Sequence, residues 1–485
     1  MAMLVGLLSM LASTGNAVAQ DNNDYFYADV NGDGVVNIAD IIIVLDCILD
    51  KSGTGDLPTP SVNPAYVSAR EYGAVGDGMT DDTRALEALL EAASRLKKAA
   101  YLEPGTYLIS RSLTLRTGLE IYGTDATITR RQAAVTTLTQ DAPSGQMYVD
   151  VDDASAFKAG DQIYIAGGQD GDGCTHGIIS RVEPGRIYFN NIMGDQQRDM
   201  QGCTSDYQAG TTVSTSFALL RSWSARYECD GVLIHDLTLN GNRSTDEPLS
   251  DENSCIFLDI DNPGTSLSPA ANNAVQRNLT ARHLTISNSP GSGITDYSQG
   301  GLAVTDCIIE NSALHGIHLG QGFDHAIIAG NTITGNGTVG SGVCFSQAVA
   351  DVVMDNNNIT SFEHGCSADE ASNLSRLIVR KNQIRTITGE VFALAATATG
   401  RQMQFSNNTI RALNSLMFSG NDLDGVMLVE NEIKTVSTLP SSVARVAQCN
   451  NVVISSNKLP ASATISTPVI DTGTTNIIQA SNSWN

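Results

Sequence analysis

The chain has 485 residues, with 44 glycines, 5% aromatic residues and a net charge of -24 from 28 basic and 52 acidic side chains. That length exceeds one compact domain of usual size unless the chain grows along one axis as a repeat, and the glycine-rich, aromatic-poor composition suits many short strands joined by tight turns. An acidic chain without a basic stripe excludes nucleic acid as a partner.

Residues 1–20, MAMLVGLLSMLASTGNAVAQ, carry an apolar core from Leu4 to Leu11 and then Ala17-Val18-Ala19, a small-x-small cleavage pattern. The stretch reads as a secretory signal over residues 1–19, although the usual basic n-region is missing, which leaves room for an upstream start. No lipobox cysteine follows, and no other segment is long enough to span a membrane. The mature protein is therefore expected outside the bacterial cytoplasm: secreted, periplasmic or at the cell surface.

Next comes DVNGDGVVNIADIIIVLDCIL. Asp29, Asn31, Asp33, Asn37 and Asp40 occupy positions 1, 3, 5, 9 and 12 of a calcium loop, with Gly34 at position 6. Oxygen donors at that spacing wrap a hard cation, and the glycine permits the sharp turn. The motif, with Asp closing the loop and a helix over Ile38 to Leu49, resembles a dockerin repeat, of which dockerins normally carry two and this chain shows one. The resemblance implies a calcium-binding module over residues 20–52 and a cohesin-like or cell-surface partner. Residues 53–64, rich in Pro, Gly and Ser, read as a linker.

The main domain, 65–485, opens with GAVGDGMTDDTRA from Gly73, a helical stretch, and PGTY from Pro104. Thr80 and Asp81 are placed to cap a helix whose Leu86, Leu89, Leu90, Ala93 and Leu96 form one apolar face, suited to covering the open end of a sheet stack. The segment closely resembles the opening of pectate-lyase-superfamily β-helix proteins, a fold shared by hydrolases, lyases, epimerases and phage tailspikes. Residues 131–221 read as a small β insertion of hairpins, VDVDDASAFKAGDQIYIAGG and GIISRVEPGRIYFNN. Of the nine cysteines, Cys307 and Cys366 fall inside strands as small core residues, while Cys174 and Cys203 lie where a disulfide could form.

From residue 280 a repeat is plain. Ile286, Ile309, Ile333, Ile359, Ile384, Ile410, Ile433 and Leu459 recur every 23 to 26 residues, and Asn331, Asn357, Asn382, Asn408, Asn431 and Asn457 stand two residues before their anchors. That period, built from short strands, is one coil of a solenoid. Stacked asparagines can hydrogen-bond side chain to side chain, forming a ladder. The expected fold is all-β: a right-handed parallel β-helix with an N-terminal capping helix and a small β insertion, preceded by the calcium-loop-helix module.

By resemblance to pectate-lyase-like β-helices, substrate lies on the strand one turn ahead of each asparagine: here CIFLD, GITDY, GIHLG, GVCFS and GCSAD. Alternation turns Ile256, Ile294, Ile317, Val343 and Cys366 inward, and Phe257, Thr295, His318, Cys344 and Ser367 outward. Coils about 4.8 Å apart would then align Phe257, Asp259, Tyr297, His318 and Asp369 in one exposed strip. His315, Glu363 and His364 lie in turns entering this face, Gln321, Asp324 and His325 in the turn leaving it. The loop 240–253 brings Arg243. His318, Tyr297 and His315 are the candidate catalytic groups, and Phe257, Asp259, Arg243, Gln321, Glu363, His364 and Asp369 the candidate substrate contacts. A catalytic metal is not specified, since HGIH offers two imidazoles and no evident third ligand.

Two reactions compete. A lyase removes the C5 proton of a uronate, and because no Lys or Arg occurs between Leu284 and Ser375, a His/Tyr pair must supply acid and base. A hydrolase needs two carboxylates, about 6.5–9.5 Å apart if inverting, from Asp259, Asp296, Glu363, Asp369 and Glu370. The polygalacturonase signatures NTD, DD, GHG and RIK are absent from this half. A non-catalytic glycan-binding or adhesin role is the third reading. The clustered His and Tyr favour extracellular polysaccharide degradation by β-elimination, on a glycosaminoglycan or pectin-like chain.

Overall fold

The computed structural model describes residues 66–167, 174–191, 202–222, 228–259 and 275–483, except 338, 387, 414, 437–440, 462, 464 and 466. The signal, the calcium loop with Asp29, Asn31, Asp33, Asn37 and Asp40, and the linker lie outside these residues.

Helix α1 spans Thr83–Leu96 and buries Leu86, Leu89, Leu90 and Ala93 as its period requires, but Leu96 is exposed. It starts later than expected. Asp82 is the N-cap, and its carboxylate instead accepts the amides of Val75 and Gly76. The Thr80 hydroxyl donates to Asp77, while Asp81 accepts the amide of Thr83. The GDGMTDDT stretch thus folds into a local network that sets where the helix can begin.

Behind the helix, the chain winds into coils of three short strands that stack into three parallel sheets. Sheet A runs from Tyr66–Ser68 to Thr475–Ala480, sheet B from Asp77–Asp81 to Glu432–Ile433, and sheet C from Leu113–Thr114 to Val469–Thr472. Period-2 alternation sends one residue of each pair into a continuous apolar core that includes Ile256, Ile294, Ile317, Val343 and Cys366. No coil buries its apolar side alone, so stacking supplies the core.

The expected ladder is present. Asn331 Nδ2 donates to Asn357 Oδ1 at 2.9 Å, and the pattern repeats through Asn382, Asn408, Asn431 and Asn457 to Asn482. Each Nδ2 also donates to a backbone carbonyl about one coil earlier in the chain, for instance Asn382 to Met354 O at 3.0 Å. Before each rung stands a left-handed residue, including Lys381 (φ 55°) and Glu430 (φ 57°). Such a conformation costs an ordinary residue about 1–2 kcal/mol, which the saturated amides behind it offset.

The insertion forms a six-stranded antiparallel sheet from Val135–Thr137, Tyr148–Asp150, Gln162–Ile165, Thr175–Glu183, Arg186–Asn191 and Thr212–Ser214, with its own apolar core around Val149, Ile163, Ile187 and Phe189. Cys174 and Cys203, which could have formed a disulfide, are not joined to one another. No helix among the described residues is long and apolar enough to cross a membrane.

Candidate active site

Sheet C carries the outward strip in the expected register: Arg221 pairs with Phe257, Phe257 with Thr295, Thr295 with His318, His318 with Cys344, and Cys344 with Ser367. The strip was expected to be exposed, and here the structure differs. Thr295, Phe257 and Cys344 are buried and His318 is only 5% exposed: Asp251 of the loop 241–254 bonds to Thr295 and His318, Arg221 lies over Phe257, and Asp369 and Ser367 contact Cys344.

That loop delivers the residue that sequence reasoning missed. Asp251 opens a short 3-10 turn, Asp251–Asn253, and its carboxylate accepts four hydrogen bonds. Oδ1 receives the hydroxyls of Ser292 (2.7 Å) and Thr295 (3.1 Å). Oδ2 receives Tyr297 OH (3.2 Å) and His318 Nδ1 (2.9 Å). Burial alone would raise the carboxyl, but His318 and these donors outweigh it and hold Asp251 well below the usual carboxylate range. With Asp251 ionised, the neutral His318 ring carries its proton on Nδ1 and leaves Nε2 as an acceptor. Ser346 Oγ lies 3.1 Å from that Nε2.

Tyr297 sits 3.1 Å from His318 Nδ1, and burial, reinforced by the charge of Asp251, pushes its phenol far above the ordinary value. It is a proton donor rather than a base. His315, its ring 5.0 Å from that of His318, is lowered to about 4 by burial and by repulsion from His318. Its Nδ1 accepts the amide of Ser341 at 3.1 Å, so Nε2 carries the proton as a fixed donor.

Asp251 is held by its neighbour. Glu252 pairs with Arg221 Nη2 at 2.6 Å and with His176 Nε2 at 3.2 Å, and Ser250 Oγ accepts Tyr164 OH from the insertion at 3.0 Å. Burial opposes ionisation of Glu252, yet Arg221 and His176 bring it down to about 2. The insertion therefore clamps the loop that carries the central carboxylate. Little in SDEN separates Asp251 from other loop acids in the sequence.

The remaining candidates divide. Phe257 faces out as alternation requires, but it is buried under Arg221, whose Cζ lies 4.6 Å from the ring centroid, and edge-on to Tyr297 at 6.0 Å. It is a floor beneath the cluster, not an open stacking platform. Asp259 ends the strand Ile256–Asp259, its side chain outside the described residues. Asp296 points into the solenoid between the core residues Leu258 and Leu319, so it is no groove carboxylate. Glu363, His364 and Asp369 do line a cleft, of about 460 Å³, together with His315, Ser341 and Glu390. Among the described residues no hydrogen bond or ion pair joins Arg243 or Gln321 to the cluster; the Arg243 amide donates to Asn288 O. His325 is exposed beside Asp324, at the periphery.

The fold supplies no third ligand to the His315–His318 pair among the described residues but assembles another trio that includes His318. His318, Cys344 and Asp369 each bring a ligand atom within 4.8 Å of the others, a set able to hold a transition metal. Burial pushes the Cys344 thiol well up, and it donates to Asp369 Oδ1 at 3.4 Å.

Residues 66–218 match the family model described as "Rhamnogalacturonase A/epimerase, pectate lyase-like", and residues 270–433 match a right-handed β-helix region. A stretch of 59 residues is 37% identical to a glucan 1,3-beta-glucosidase of Cochliobolus carbonum, covering 12% of this chain and 8% of that protein; the chain thus spans under a tenth of this curated relative. Among solved structures, the A-module of the mannuronan C-5 epimerase AlgE4 of Azotobacter vinelandii is similar with a TM-score of 0.52 and 14% identity, over 86% of this chain and 94% of that one. An exopolygalacturonase from Thermotoga maritima is similar with a TM-score of 0.44 and 11% identity, over 88% and 93%. At these identities the likeness is one of fold. The described chain is a right-handed parallel β-helix whose first part matches a pectate-lyase-like family model.

Proposed function

We propose that the protein is a secreted polysaccharide lyase that cleaves a uronate-containing chain by β-elimination. The observation that carries this reading is the Asp251–His318–Tyr297 triangle, which sets an imidazole base of fixed tautomer beside a phenol that burial keeps protonated. His318 Nε2 takes the C5 proton, the Ser346 hydroxyl rotating aside. Tyr297 gives its proton to the glycosidic oxygen as the bond from C4 breaks and the C4–C5 double bond forms. His315 Nε2–H then faces the substrate carboxyl. Similarity to an epimerase is in keeping with proton removal from a sugar carbon. The N-terminal module would bind calcium and attach the enzyme to a cohesin-like or cell-surface partner.

A second reading has one observation in its favour. The cleft beside His315 is lined by Glu363, Asp369, Glu370 and Glu390, carboxylates that suit hydrolysis of a neutral glycan better than binding of a polyanion.

Ultraviolet absorbance during incubation with hyaluronan, chondroitin sulfate, polygalacturonate and alginate, with and without chelator, separates the two. The expected outcome is an unsaturated product on one polymer, reduced at least about a hundredfold in rate by His318→Ala or Tyr297→Phe. New reducing ends without absorbance would move the chemistry to the cleft carboxylates, and neither signal would end the lyase reading.

A further inference from the structure

The proposed elimination leaves one contact of His318 without a role. Asp251 Oδ2, His318 Nδ1, His318 Nε2 and Ser346 Oγ form a continuous relay, with steps of 2.9 and 3.1 Å on the two edges of one imidazole. Ser346 is not a chance neighbour. It follows the strand Ser341–Phe345, whose register sets Cys344 against His318, and its amide is fixed to Leu319 O at 2.9 Å. Its hydroxyl reaches the imidazole through space left by Gly320, where a Cβ would stand 2.3 Å from Ser346 Oγ and 3.2 Å from Tyr297 Cε1. Ser346 is half-buried rather than enclosed. Phe345 pairs with Ala368, the residue before Asp369, and both of these line the open cleft.

From this geometry we infer that Ser346, His318 and Asp251 form a nucleophilic serine site that hydrolyses acyl esters, the substrate class being an O-acylated sugar of the polymer proposed above. A carboxylate that fixes Nδ1–H and a hydroxyl on Nε2 are the elements by which an imidazole activates serine. Ser346 Oγ bonds to the acyl carbon while His318 Nε2 takes its proton. The ester C–O bond breaks, and the sugar hydroxyl leaves with that proton. Water then attacks the acyl-Ser346, giving its proton to His318, and the carboxylic acid departs as the hydroxyl is restored. His315 Nε2–H is the cleft donor available to the oxyanion. The choice of a sugar ester rests on the proposed function; the nucleophile does not.

The full chain is treated with a fluorophosphonate probe and with 4-nitrophenyl acetate, and elimination is followed in parallel. The inference expects the probe on the peptide containing Ser346, and ester hydrolysis lowered roughly a thousandfold or more by Ser346→Ala and strongly by Asp251→Asn. Ser346→Ala should keep the wild-type melting temperature, which separates loss of the nucleophile from loss of fold. Absence of label at Ser346, with hydrolysis unchanged in Ser346→Ala, overturns the inference even if elimination is found. Label on Ser346 without elimination on any polymer leaves the inference standing and removes the lyase reading.

Discussion

Asp296 shares a strand with Tyr297 but faces the opposite way, into the solenoid, where burial raises its carboxyl to about 6. Oδ1 accepts the Ser298 amide at 2.9 Å, and Oδ2 has no partner among the described residues. A folded-state value above the unfolded 3.8 means that the native state binds the proton more tightly. Stability from this group is therefore lost as pH rises from 3.8 through 6, by about 3 kcal/mol in all. His315 has the opposite sign. Its folded value of about 4 lies below the unfolded 6.5, so the unfolded chain takes the proton first and stability is lost as pH falls through that window. Melting temperatures across both windows should show Asp296→Asn gaining most above pH 6 and His315→Gln gaining most near pH 4. A uniform shift of either variant at every pH would mean that the charge is not what the fold resists. The inward orientation of Asp296 follows from alternation, while His315 sits in a turn; the environments of both come from residues distant in sequence, and sequence reasoning placed Asp296 among the groove carboxylates.

The strands and the asparagine turn were the most legible elements, because each rests on a local rule applied many times. Period 2 decides which side chain enters the core, and one asparagine per coil satisfies the same backbone groups at every rung. Asn382 shows what a rung holds: its Oδ1 accepts the amide and the side chain of Asn357, both at 2.9 Å, and its Nδ2 serves Met354 O and Asn408 Oδ1, both at 3.0 Å. Asn382→Ala strands buried groups on both sides, at about 1–3 kcal/mol each. Asn482→Ala, at the half-exposed end of the ladder, should cost under about 1 kcal/mol because water replaces the lost partner. Urea denaturation of the two variants tests this, and equal losses would show that the ladder is not the source of the stability. The loop 241–254 was illegible for the converse reason. It repeats nothing, and its path depends on Arg221, His176 and Tyr164, three residues of which two belong to the insertion.

Across the molecule, one buried ion pair joins parts far apart in the chain. Arg130, at the end of the strand Ala126–Arg130, pairs with Glu247, and neither side chain is exposed. Ser216, where the insertion returns, donates to the same carboxylate. Solenoid, insertion and the Asp251 loop thus meet at Glu247. Glu247→Gln leaves the Arg130 charge uncompensated and should cost about 3–5 kcal/mol, whereas Arg130→Met with Glu247→Leu should recover most of it. Thermal melts of the single and double variants measure the difference, and activity should fall in the single variant as Asp251 loses its support. The alternating strands of sheet C have a wider consequence. Ile294, Ile317 and Val343 belong to the core, while Thr295, His318 and Cys344 beside them do not. Every coil thus offers one seat whose occupant the core never meets. A scaffold of this kind separates the grammar of folding from the vocabulary of chemistry: new reactivity can be written one coil at a time without renegotiating the fold.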